Sequence, residues 1–295
     1  MKDSLFTENL KQSTGMRVFM YLVILLISSL VGVAFSMLFM LSGDMGLKIG
    51  QGVSSVMMFV VPPVVYYCIT RKGHPMQELG IRKLSPPWWL ILIGVALMFV
   101  SIPFTTSLTT WNESMNLGGT FAKLEDYLKM MEEAAGEVSE RMLKVDSVGG
   151  LLLNLLIIAL IPAVGEELTF RGVLQQALTR RMKNPHVAIF LSAAIFSFIH
   201  FQFYGFLPRM FLGILMGYML YITNSLWTSM LMHFANNGTA VLLYYLNNKG
   251  VIEDAEHFGE TDNVWIVVAS VAATVCLIVL SWRKGKPIRA DRKPI

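Results

Sequence analysis

Charge is what this chain has least of. Only 15% of its 295 residues are Asp, Glu, Lys or Arg, and 54% are hydrophobic, where a soluble domain carries roughly 25% charged residues. With a mean hydropathy of +0.56, the composition excludes an ordinary soluble domain and points to the membrane class. Cysteine is almost missing as well. Cys68 and Cys276 both sit inside apolar runs and belong to no spaced motif, which argues against a disulfide framework or a thiolate metal site. They read as packed or lipid-facing thiols. The net charge of +4 is spread over several inter-helix segments, so no basic patch for nucleic acid forms. Internal repeats and low-complexity tracts are also lacking. So is a signal-peptide pattern: the polar leader extends to Arg17, and the apolar run that follows, Val18 to Leu41, is too long for one.

What is present is a series of apolar runs, each of about 20 residues, the length a helix needs to cross a bilayer. Eight are read: 17–41, 50–70, 88–108, 148–164 continuing as a long helix, 186–204, 207–223, 225–246 and 264–282. The expected fold is all-α, a polytopic membrane protein of about eight transmembrane helices. Basic residues cluster at Arg71, Lys72, Arg82 and Lys83, at Arg180, Arg181 and Lys183, and from Arg283 to Lys293, while 111–146 and 248–262 are acidic. With eight spans the basic and acidic segments alternate from side to side, which puts both termini in the cytoplasm; the expected location is the cell membrane. Trp88, Trp89, Trp111, Trp227, Trp265 and Trp282 all lie near expected helix ends, as an interfacial aromatic belt requires. The charged stretch 124–143 reads either as an amphipathic helix that lies on the outer leaflet or caps the bundle, or as a solvated connector. Three parts follow: 1–147 with three spans and the acidic connector, 148–246 as the core, and 247–295 with the last span and basic tail.

Ionisable residues inside spans mark function by default. The stretch GEELTFRG supplies Glu166, Glu167 and Arg171; FSFIH supplies His200; HFANN supplies His233 and Asn237. Glu167 and Arg171, four apart, share a helix face and pair. Glu166 is turned about 100° away and is left for other use. Pro162 cannot donate a helical hydrogen bond and is expected to kink the helix one turn earlier. His233 and Asn237, also four apart, project together. A carboxylate, two imidazoles and an amide suit water activation and oxyanion stabilisation. On spacing alone, three readings stand side by side: catalysis, interhelical polar glue, and a proton-relay transporter. His74 and His257 read as loop side chains and His186 as interfacial.

These three motifs, in this order and each in an apolar helix, resemble the EExxxR, FxxxH and HxxxN/D motifs of the CPBP (CAAX protease and bacteriocin-processing, or Abi) family of intramembrane proteases. QELGIRK and FLGILMGYML are weaker points of likeness. The resemblance is carried by 148–246. It implies an eight-helix fold with the active site in an intramembrane chamber, related to the prenyl-protein endopeptidase that trims lipidated proteins. It also implies that Glu166 and His200 activate water, that His233 and Asn237 stabilise the oxyanion, and that Glu167 with Arg171 supports them. The substrate it implies is a membrane-tethered peptide or lipidated protein. No HExxH zinc signature is present, but Glu166, His200 and His233 would complete a zinc site with an open position. Both a metal-free and a zinc-dependent, metalloprotease-type site are therefore compatible with the resemblance. The alternative functions are a non-proteolytic scaffold or immunity-type protein and a small-solute transporter.

Overall fold

The computed structural model describes residues 14–40, 42–70 and 86–285, and among these every regular element is helical. The basic segment 71–83, including His74 and QELGIRK, and the tail 286–295 lie outside the described residues. Ten helices follow in chain order: α1 (Thr14–Met40), α2 (Gly43–Thr70), α3 (Trp88–Val100), α4 (Ile102–Glu113), α5 (Ala122–Leu143), α6 (Val148–Met182), α7 (Pro185–Phe198), α8 (Phe206–Thr223), α9 (Leu226–Asn248) and α10 (Val264–Lys284).

Five of these are long and apolar enough to cross a membrane: 18–39, 43–69, 148–182, 206–223 and 264–284. A sixth span results if α3 and α4, bent by 43° at their junction, count as one. Two of the expected eight fall short. The expected span 186–204 is a helix only to Phe198, because the chain turns at Phe201, whose φ of 53° is left-handed. The expected span 225–246 is a 23-residue helix, but its own His233, Asn236 and Asn237 make it too polar to qualify by composition. The bend at Ser101 has a local cause, since Pro103 has no N–H for the carbonyl of Phe99. The molecule is an integral membrane protein, and its outermost helices show it. α1 turns Phe19, Leu22, Leu26, Leu30 and Leu38 outward, and α10 turns Trp265, Val268 and Val275 outward, an apolar surface too continuous for water. Cys68 and Cys276 are free and exposed.

The stretch 124–143 is helical and largely exposed, and its C-terminal end is tied to the bundle. α5 is held by Asn154 Nδ2, which donates to Met142 O at 2.8 Å, and by Asn248 Nδ2, which donates to Leu143 O at 3.0 Å. An exposed Arg141–Asp44 ion pair at 2.8 Å also ties it to α2; exposed pairs of this kind contribute little.

α6 is the axis of the fold. Its turns are widened at Leu155–Leu160 and again at Glu167–Leu174, the local loosening that helices show at functional sites. Side chains from neighbouring helices tie down the second widened stretch. Ser192 Oγ donates to Phe170 O at 3.1 Å, and Tyr67 Oη to Gly172 O at 3.3 Å. In return α6 reaches α8: Arg171 Nη2 donates to Gly213 O at 3.0 Å and Gln175 Nε2 to Gly217 O at 3.1 Å. Glycines four apart let the helices approach until these carbonyls are within reach. A Cβ at Gly217 would stand 2.8 Å from Gln175 Oε1 and 2.9 Å from Ile189 Cγ2. Gly217→Ala is therefore expected to cost about 1–3 kcal/mol by overpacking, read as a lowered thermal midpoint in detergent. An unchanged midpoint would show that the α6–α8 contact has slack.

Candidate active site

The sequence of α6 places two adjacent carboxylates at the start of its second widened stretch, and the tertiary structure gives them different surroundings. Glu167 and Arg171 are 0% and 1% exposed and pair at 2.8 Å through Glu167 Oε1 and Arg171 Nη1. The guanidinium also lies 4.6 Å from the ring centre of Phe196, a cation–π placement. His233 joins this pair from α9, with Nδ1 3.0 Å from Glu167 Oε1. A carboxylate accepts only, so Nδ1 carries the proton and Nε2 points onward, 3.7 Å from Glu166 Oε2.

Glu166 faces the other way, into a cavity of about 460 Å³. His200, His233, Asn236, Asn237 and Arg209 line the same cavity. His200 is not on a helix. It sits in the turn after α7, where the terminal carbonyls lack helical donors, and its Nδ1 lies 2.8 Å from Phe196 O. A carbonyl fixes the tautomer: Nδ1 bears the hydrogen, and Nε2 keeps its lone pair.

Pro162 lines the cavity too. Its missing N–H leaves the carbonyl of Ile158 without its usual donor, and Asn237 Nδ2 supplies one at 3.3 Å. Asn236 Nδ2 donates to Asn237 Oδ1 at 3.1 Å. The Asn237 amide is thereby oriented, with one N–H still to give. The structure thus brings Glu166, His200, His233 and Asn237 to one chamber and stacks Glu167 and Arg171 behind it.

Three residues of the chamber and its rim were not singled out from sequence. Arg209 carried the signal, being an ionisable group two residues into an expected span. Asn236 had only its neighbour's motif, and Asn112 had no local signal. Asn112, at the end of α4, donates to Phe203 O at 3.1 Å and accepts from Leu207 N at 2.8 Å, which fixes the loop between His200 and Arg209. Glu132 of α5 accepts from Tyr204 N at 3.3 Å in the same loop. Burial holds the Glu132 carboxyl above the usual carboxylate range, against the pull of that N–H and of Arg209.

The residues do not fit a three-ligand zinc site. Among the described residues no three His, Cys, Asp or Glu side chains are grouped as a metal requires. The set Glu166, His200 and His233 is not gathered round a common point.

Residues 148–239 match the family model described as Type II CAAX prenyl endopeptidase Rce1-like. The match covers all three motifs and supports a relation of this segment to the CPBP family, a family of CAAX-type intramembrane proteases. No curated protein and no solved structure matches the chain.

Proposed function

We propose that the protein is an intramembrane endopeptidase that hydrolyses peptide bonds of membrane-tethered, CAAX-type substrates through a glutamate-activated water. The observation that carries this is the division of labour in the EE pair. Glu167 is consumed by Arg171 and His233, while Glu166 opens into a cavity beside an imidazole whose Nε2 is free to accept.

In this reading a water lies between the Glu166 carboxylate and His200 Nε2. Glu166 takes its proton as the oxygen attacks the substrate carbonyl carbon. The oxyanion that forms accepts from the remaining Asn237 N–H and from His233 Nε2–H. Glu167 holds the His233 ring in place through Nδ1. Collapse breaks the C–N bond, and Glu166 returns the proton to the departing amine. Each preorganised oxyanion donor contributes roughly 3 kcal/mol of transition-state stabilisation. No step passes through a metal.

The test is reconstitution of the full chain in liposomes with lipid-tethered peptides, prenylated and acylated, and identification of new termini by mass spectrometry. Cleavage supports the reading, and flux of solute with no new termini would replace it with transport. Activity is further expected to survive exhaustive chelation. Loss on chelation with recovery on adding zinc would overturn the metal-free mechanism.

A further inference from the structure

One cation on the chamber wall makes no ion pair among the described residues. Arg209 lines the cavity. Its Nη2 donates to Gln202 Oε1 at 2.8 Å, and its Nη1 is buried without any hydrogen-bond partner. Glu132 is the acidic side chain across the loop, but its carboxylate bonds Tyr204 N and makes no ion pair with Arg209. A buried guanidinium nitrogen left unpaired is costly, and a fixed fork of donors is suited to a carboxylate.

The backbone makes room for this group. Gly205 also lines the cavity, and a Cβ there would stand 2.7 Å from Arg209 Nη2 and 3.3 Å from its Cζ. The guanidinium lies directly against the main chain at Gly205. A cavity of about 460 Å³ has the size of a small-ligand pocket.

We propose that Arg209 is the carboxylate anchor of the chamber: it binds the free C-terminal carboxylate of the substrate and sets the distance from that terminus to the bond facing Glu166. This rests on the peptidase reading for its substrate class, but its test does not depend on cleavage.

The probes are three fluorescein-labelled, N-acylated peptides of one sequence: the free acid, the C-terminal amide, and the amide with Asp at the penultimate position. Binding to the full chain in detergent is read by anisotropy. Wild type is expected to bind the acid about 10- to 100-fold more tightly than the amide, the span of one charged hydrogen-bonding contact. Arg209→Gln should erase that difference by weakening the acid more than the amide, and Gly205→Ala, which keeps the charge but displaces it, should narrow it. Thermal midpoints of the variants confirm folding. Equal binding of acid and amide by wild type overturns the anchor. Binding of the Asp amide as tightly as the acid overturns its assignment to the C-terminus. Equal weakening of acid and amide by Arg209→Gln reduces Arg209 to a structural residue. Termini produced from the same peptides are scored separately. Acid preference without cleavage keeps the anchor and removes the peptidase; cleavage without preference does the reverse.

Discussion

Glu166→Gln is expected to lower the cleavage rate about 10²- to 10⁴-fold, the contribution of a positioned general base, while the protein stays folded and membrane-inserted. The substitution keeps the side chain's volume and its place on the cavity wall, so packing around Ala163 and Gly165 is untouched. What it removes is the capacity to accept a proton from water. Glu166 is not held in the Glu167–Arg171 pair, and its one charged contact is the 3.7 Å approach of His233 Nε2. Removing its charge therefore strands no buried cation directly bonded to it. His200→Ala is expected to act in the same sense, since it deletes the Nε2 acceptor. The measurement is the initial rate of terminus formation alongside the thermal midpoint. Wild-type cleavage by Glu166→Gln would end its assignment as the base. Loss of activity together with a collapse in midpoint would make Glu166 a structural residue instead.

The second large effect is expected one residue further on and of a different kind. Arg171→Ala and Glu167→Ala should each destabilise the fold by about 3–5 kcal/mol, because each leaves a charge buried without its partner. Arg171 has the more to lose: its pair with Glu167, its bond to Gly213 O and its contact with Phe196 all go together. The double substitution Glu167→Leu with Arg171→Met should recover most of the loss, since replacing a whole buried pair by apolar residues is often close to neutral. Recovery should be incomplete because His233 Nδ1 would then lack its acceptor. Thermal or denaturant unfolding in detergent, set out as a double-mutant cycle, measures the coupling. Additive losses in the double variant would mean that the two side chains do not depend on each other.

The contrast between neighbours Glu166 and Glu167 shows what was readable before any tertiary structure. Helical spacing alone separated their faces and paired Glu167 with Arg171, because a four-residue offset is a local property of the chain. The same local logic placed His233 beside Asn237. Span counting fared less well for an equally physical reason. The site's own polar residues make α9 too polar for an apolar span, and a left-handed turn at Phe201 stops α7 short. Composition registers the average along a run and not the turn that ends it.

By itself the sequence determined a helical membrane protein, three polar motifs and the register of each on its helix, since hydropathy and the helical repeat are set by neighbours in the chain. Only the tertiary structure decided which groups share the chamber. It brought His233 of α9 onto Glu167, used the carbonyl freed by Pro162 to orient Asn237, and fixed the His200 tautomer through a helix-end carbonyl. It also left Arg209 unpaired on the cavity wall. Each of these depends on contacts between residues far apart in the chain, or on a turn that no periodicity announces. The octet GEELTFRG states that a carboxylate is available; the packing of α6 against α7, α8 and α9 decides what it faces.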